Sequence, residues 1–289
     1  MFPHRIYLSG GGVCGMAHVG ALLELRKHIP FTMIKEWMGV SAGALFAMCL
    51  VIGYTLEELE DFCIRFDFTQ INEMDSVPGW ILRMGMDTGD RLERLIHACL
   101  HVKGLSSEMT FQEAQAICGS SLRVVVTDLN DAAPVMFSPE DTPTYRIADA
   151  VRASMSVPLY FQPFVCPVTG HYYMDGAVVS NYPLHLLPLE EHKKTLSLLI
   201  RSTVGKIEDT ELSMEQVITR PINILYAEKM NTDLRCYDSP CIQMELGEMD
   251  MFDFSMEQEI KLQILEKGKQ AAVSYVKAQP IPRRRHSVS

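Results

Sequence analysis

Two glycines flank a serine at Gly39-Val40-Ser41-Ala42-Gly43, and no other stretch constrains the fold of this chain so tightly. Ile34-Lys35-Glu36-Trp37-Met38 before it reads as a strand, and Ala42 to Ile52 after it reads as an apolar helix. Ser41 therefore falls at a strand-to-helix turn so sharp that a Cβ two residues to either side would collide. The expectation is an α/β fold with a nucleophile elbow. Its serine Oγ would stand at a helix N-terminus, where the dipole favours developing negative charge. The plainer alternative is an ordinary glycine-rich turn, so the rest of the chain has to decide.

A second glycine turn precedes it. Arg5 to Ser9 reads as a strand, Gly10-Gly11-Gly12-Val13-Cys14-Gly15 follows directly, and a helix runs from about Met16 to His28. Such a loop offers successive backbone N–H groups to a phosphate or an oxyanion. Its spacing also fits the dinucleotide fingerprint, which asks for an acidic residue closing the second strand to hold a ribose. Here that strand ends in Met38-Gly39-Val40-Ser41. The loop Gly10 to Gly15 pairs more naturally with a serine nucleophile, as its oxyanion hole.

Further along, Thr55-Leu56-Glu57-Glu58 is a capping box opening a helix to about Phe66, and Thr110-Phe111-Gln112-Glu113 opens another to about Cys118. Between them, Asp67 to Ser107 is less regular. It carries Met74, Trp80, Met84 and Met86 and a helix near Arg91 to Val102, and reads either as a cap over the site or, by preference, as core. Leu122 to Thr127 is a β-branched run that marks a strand buried on both faces, hence a parallel sheet covered by helices. Ile147 to Met155 reads as a helix ending before Ser156-Val157-Pro158, and Tyr160, Phe161, Pro163 and Phe164 as an aromatic wall. His171 to Met174 is a short strand running into Asp175-Gly176-Ala177, either a turn or a base delivered to the sheet edge beside Ser41. A strand at Leu196–Ile200, a helix capped at Ser213, broken or kinked at Pro221 and reaching Met230, a strand at Ile242–Leu246 and a helix from Ser255 to Lys277 complete the chain.

The net charge of −10 argues against nucleic-acid binding but leaves a membrane surface open. The longest apolar run, Ala42 to Ile52, is about half of the ~20 residues a transmembrane helix needs. The chain enters a strand at once, so no secretory signal is expected, and its eight cysteines lack any Cys-x-x-Cys pair. Free thiols in a reducing cytoplasm follow, without disulfides or zinc. His97 and His101 sit at helical spacing but without an acidic companion, and no metal is expected there.

Four features recur in one order: the glycine loop, Gly-x-Ser-x-Gly, Ala153-Ser154-Met155-Ser156-Val157-Pro158, and Asp175-Gly176-Ala177. With Asn181-Tyr182-Pro183 and Phe252-Asp253-Phe254-Ser255, this set resembles the patatin-like phospholipases over nearly the whole chain. The resemblance implies a three-layer α/β/α fold with a central, mostly parallel sheet and an acyl-hydrolase domain over residues 1–279; the stretch Arg283-Arg284-Arg285-His286, after two prolines, reads from its own composition as a basic, disordered tail over 280–289, solvated or, alternatively, drawn to an anionic membrane. The resemblance also implies Ser41 as nucleophile, Asp175 as general base and Gly10 to Gly15 as oxyanion hole. Residues Gly39, Val40, Ala42 and Gly43 would form the elbow, and Gly176 and Ala177 the turn after the base. The implied substrates are phospholipids or lysophospholipids, met at a membrane surface in transient, peripheral contact, with no cofactor and usually no calcium; a protein activator is not revealed. Two departures stand out. Cys14 replaces the family's common Arg or Lys, which puts any help to lipid phosphate in doubt, and Ala177 replaces a second glycine.

Two other functions compete. A Ser–His–Asp triad would use Ser41, Asp175 and then His185 or His192, but the nucleophile comes at an earlier strand than that arrangement normally uses. A non-enzymatic lipid-binding protein on the same fold would be expected to lack one of the chemical groups, and all are present.

Overall fold

The computed structural model describes residues 2–71, 84–203, 205 and 214–278. Met74, Trp80, Ser213 and the tail at 280–289 lie outside these residues. Among them an eight-stranded mixed sheet organises the chain: β1 (Arg5–Leu8), β2 (Glu36–Val40), β3 (Ser121–Asp128), β4 (Ala133–Phe137), β5 (Phe164–Val165), β6 (Tyr172–Asp175), β7 (Thr195–Ser202) and β8 (Cys241–Gly247). Hydrogen-bonded neighbours follow the path β5-β6-β3-β2-β1-β7-β8, with β4 also on β3. The β3-β2-β1-β7-β8 portion is parallel throughout, while β4, β5 and β6 pair antiparallel. This is the helix-covered, mostly parallel sheet expected from the sequence. Apart from the half-buried Arg123, every residue of β1, β2 and β3 is buried, as strands covered on both faces must be.

The described α-helices are α1 (Met16–Leu25), α2 (Ala42–Val51), α3 (Leu56–Arg65), α4 (Asp90–Val102), α5 (Phe111–Cys118), α6 (Ile147–Ser154), α7 (Leu189–His192), α8 (Met214–Cys236) and α9 (Gln258–Ala278). Both capping boxes form: Thr55 and Thr110 exchange side-chain and backbone bonds with Glu58 and Glu113. Helices α1 and α9 cross where Gly20 lies against the Leu265 carbonyl and Gly268 against the Ala17 carbonyl. A Cβ on either glycine would drive the two backbones apart.

Several details differ from the sequence reading. Strand β2 lies two residues later than expected, because Phe31–Met33 makes a 3₁₀ turn after Pro30, and it runs up to Ser41 itself. Helix α8 continues past Pro221 to Cys236. Of the apolar residues between Asp67 and Ser107, Met86 is buried as core, whereas Met84 is exposed.

Register on β3 positions the site. Residues Ser121 to Val125 pair with β2, and Val126 to Asp128 pair with β6. Strand β4 occupies the opposite edge, since it pairs with Val124 to Asp128 and so overlaps both. Strands β2 and β6 therefore meet end to end along one edge of β3. Val40 sits against Val125 and Asp175 against Val126, so the residue after Val40 and the last residue of β6 are brought together.

Candidate active site

Ser41 has φ 55° and ψ −130°, a conformation that costs a non-glycine residue strain and persists only when its surroundings impose it. They do so from both sides. Gly39 faces the peptide between Gly43 and Ala44, and Gly43 faces the Leu8 and Ser9 carbonyls, with no room for a Cβ at either position. The Ser41 N–H donates to Ser154 Oγ at 2.9 Å, and Ser154 Oγ donates to the Val125 carbonyl at 2.7 Å. The C-terminal end of α6 thus ties the elbow to β3.

Asp175 is held by its backbone as firmly. Its N–H donates to the Ser156 carbonyl at 2.9 Å, and its own carbonyl accepts Thr127 Oγ1 at 2.9 Å. The carboxyl accepts the Ala177 N–H at 2.8 Å and has the Ser41 side chain beside it. Burial pushes its pKa up to about 7, against the opposite pull of Ser41 and the Ala177 N–H. A carboxyl balanced near neutrality beside a serine hydroxyl can accept and return a proton.

Two clefts open from Ser41. One, of about 740 Å³, is lined by Gly10, Gly11 and Gly12, Asp175, Asn181 and Tyr226 among others, with Arg201 and Asn223 also on its wall. The other, of about 620 Å³, is almost wholly apolar, with Leu45, Phe46, Phe62, Phe68, Leu92 and Phe161 on its walls. Gly12, Ser41, Val157 and Phe252 border both. Of the expected aromatic wall, Phe161 reaches a cleft; Tyr160 stacks on Phe252 at 4.2 Å between ring centroids.

The remaining expected site residues divide by position. Ala177 lines the first cleft, and Val13 and Ala42 the second. Gly15 packs on Ala42 and Phe46, and Gly176 lies under the Val125 carbonyl, so both serve close approach. Val40 is buried in the sheet. Cys14 is buried too, its Sγ 3.8 Å from the Asp250 carbonyl, and burial pushes its thiol up to about 12. It supplies no cation. No described histidine borders either cleft. His192 donates to the Leu187 carbonyl, His185 pairs with the Tyr237 hydroxyl, and His97 faces Glu93 at 3.9 Å. All eight cysteines are free thiols.

A family model described as "Patatin-like phospholipase" matches residues 6–188. The chain belongs to this family. A protein of Acanthamoeba polyphaga mimivirus is 33% identical to this patatin-like chain over 197 residues, 67% of this chain and 64% of that protein. "Probable lipid hydrolase 463L" of Invertebrate iridescent virus 6 is 26% identical over 191 residues, 65% of this chain and again 64% of that protein. The match thus spans just under two thirds of each viral relative. Bacillus subtilis YqhO is 26% identical over 93% of this chain and 96% of its own. Among solved structures, VipD from Legionella pneumophila superposes with a TM-score of 0.71 at 15% identity, over 96% of this chain and 67% of that one. That likeness places the patatin-like fold over the described sheet and helices.

The motifs around Ser154, Ser156 and Asn181 stand out in the sequence, but nothing local to them assigns these residues a role. Their contacts to Ser41, Asp175 and the glycine loop join segments far apart in the chain, which no local pattern encodes.

Proposed function

We propose that this chain is a serine acyl hydrolase that cleaves fatty-acyl esters of phospholipids or lysophospholipids with Ser41 and Asp175. The observation that carries this reading is the end-to-end meeting of β2 and β6 on β3, which sets a strained serine against a buried carboxyl. As Ser41 Oγ attacks the ester carbonyl, Asp175 takes its proton and the carbonyl oxygen becomes an oxyanion facing the glycine loop. Collapse breaks the ester C–O bond, and Asp175 returns the proton to the departing alcohol. Water then attacks the acyl-enzyme, giving its proton to Asp175, and in the second collapse Asp175 passes that proton to Ser41 Oγ as the fatty acid is freed. Each step needs only one carboxyl, so no histidine is required.

The apolar cleft suits one acyl chain, and the cleft carrying Asn181, Arg201 and Asn223 suits a polar head group. Helix α8 supports peripheral contact with a lipid surface. It turns Tyr226, Ala227 and Met230 to the first cleft and exposes Val217, Pro221, Ile224 and Leu225 elsewhere. A helix apolar on two faces normally lies in an apolar surround. No described helix is long and apolar enough to cross a membrane.

Fatty-acid release from mixed phospholipid and lysophospholipid vesicles, with chelator present, tests the reading. Metal-independent release that disappears in Ser41→Ala and Asp175→Asn is expected; an intact chain that releases nothing and fails to label with a fluorophosphonate would favour a binding protein. Leu225→Asp should reduce vesicle sedimentation several-fold, and unchanged sedimentation would remove α8 from the membrane contact.

A further inference from the structure

The glycine loop does not present all its amides to the site. The Ser9 N–H donates to the Leu198 carbonyl at 3.1 Å, the Gly10 N–H to Asn181 Oδ1 at 2.7 Å, and the Val13 N–H to the Met251 carbonyl at 2.9 Å. Between these anchors, the amides of Gly11 and Gly12 have no acceptor among the described residues, and both glycines line the cleft at Ser41. A buried donor is costly unless something meets it, and these two donors lie on the cleft that Ser41 also lines.

Asn181 holds the upstream anchor with both ends of its side-chain amide. Its Oδ1 accepts the Gly10 N–H, and its Nδ2 donates to the Gly10 carbonyl at 3.3 Å, so it reads one peptide residue as a neighbouring strand would. This pairing needs residue 10 to be glycine, since a Cβ there would come within 3.0 Å of both Asn181 Oδ1 and Ser41 Cβ. Asn181 is itself fixed from below, where Tyr7 Oη donates to its carbonyl at 2.9 Å. Two further bonds steady the loop from behind. Ser9 Oγ accepts the Ile200 N–H at 2.8 Å, and buried His18 donates through Nε2 to the Ser9 carbonyl at 2.8 Å. Asn181 also follows Asp175 in the same short segment, so one stretch of backbone carries the base and grips the loop.

We propose that Asn181 is a positioning residue which confines the oxyanion hole to the Gly11 and Gly12 amides and sets their direction relative to Ser41. The assignment rests on the acyl-hydrolase reading and adds a role within it. Oxyanion donors act only once the carbonyl oxygen carries charge, so displacing them lowers turnover and leaves substrate binding nearly unchanged.

The test compares Asn181→Ala, Asn181→Asp and Tyr7→Phe with the intact chain on a soluble short-chain lysophospholipid, and measures inhibition by an alkyl trifluoromethyl ketone. Ser41 Oγ adds to the ketone carbonyl as Asp175 takes its proton, forming a hemiketal whose oxyanion occupies the hole. Asn181→Ala is expected to lower kcat about 10- to 100-fold with KM within about threefold, and to weaken the ketone by the same factor as kcat/KM. Asn181→Asp keeps the acceptor for the Gly10 N–H but sets oxygen against the Gly10 carbonyl, so it falls at least as far. Tyr7→Phe loses a few-fold. Equal losses in ketone affinity and in binding of a non-hydrolysable ether analogue would mark general disorder and overturn the assignment, as would a kcat equal to that of the intact chain. Should Asn181→Ala melt below the assay temperature, the isosteric Asn181→Asp carries the same comparison. An intact chain that neither turns over nor binds the ketone overturns the hydrolase reading itself, and this assignment with it; an active intact chain matched by its Asn181 variants overturns the assignment alone.

Discussion

The turns that end β1 and β2 look alike in sequence, each a strand, a cluster of glycines and a helix, yet they use glycine for different ends. At the elbow, Gly39 and Gly43 let α2 fold back against the carbonyls of β1, and the strain is concentrated in one side chain, Ser41. In the first loop, the residues at 9, 10 and 13 are anchored and the backbone at Gly11 and Gly12 is left with open donors. One turn immobilises a hydroxyl; the other holds a gap in the hydrogen-bond pattern. Glycine content alone therefore does not distinguish a place where backbone must be packed from one where it must be offered.

The largest effect should come from removing the chemistry that both turns serve. Ser41→Ala and Asp175→Asn are each expected to lower kcat by at least about 10³-fold with secondary structure intact, as followed by fatty-acid release and circular dichroism. If either retained a tenth of the activity, the elbow would lose its assigned purpose. Next, the same Gly→Ala change should act unequally in the two turns. In Gly43→Ala the new methyl meets the Leu8 and Ser9 carbonyls and should lower stability by about 3 kcal/mol or more. In Gly11→Ala the methyl meets mainly the Ile200 side chain, with Cδ1 at 2.6 Å, and should lower stability by only about 1 kcal/mol while still cutting turnover. Equal losses in denaturant melts would erase the distinction between packing and offering.

Titration offers a third handle. As the proposed base, Asp175 would work when ionised, so kcat/KM should rise with pH through about 7 and level off above it. A pH–rate profile with its acid limb near 4 would contradict this. The folded pKa lies above the unfolded carboxylate value, so the stability linked to the neutral acid is complete below about 4 and is lost as pH rises through about 7. Inactive Asp175→Asn should therefore melt higher than the parent at pH 8, with the gap closing toward pH 4. The smallest effects are expected from His185→Ala and His192→Ala, each within about twofold of the parent, because neither side chain borders a cleft. A collapse in either would restore a triad.

The elbow, the two capping boxes and the buried β-branched run of β3 were legible because each is a local steric or hydrogen-bonding pattern. Strand β2 was placed two residues early since nothing in Ile34-Lys35 distinguishes a strand start from the exit of a 3₁₀ turn. Strands β4 and β5 were missed because one contains Pro134 and the other is two residues long, and both exist by pairing with β3 and β6. At Pro221 the helix runs on without a break, and the described residues that it turns to the first cleft, from Asn223 onward, lie beyond the proline. The proposed nucleophile and base stand in local motifs of the sequence, but their supports do not. Ser154 reaches Ser41 across 113 positions and Asn181 reaches Gly10 across 171, and only the completed sheet brings such partners together.

That β2 and β6 share one edge of β3 has a temporal meaning as well. On the proposed dyad, a growing polypeptide carries Ser41 early, with β1 and β2, and the carboxyl proposed as its base arrives only when β6 has been synthesised and has closed the remaining stretch of that edge. Until then the serine is an ordinary alcohol. On that reading an unfinished or misassembled chain is chemically silent, and the capacity to attack an ester becomes a report that the sheet is complete.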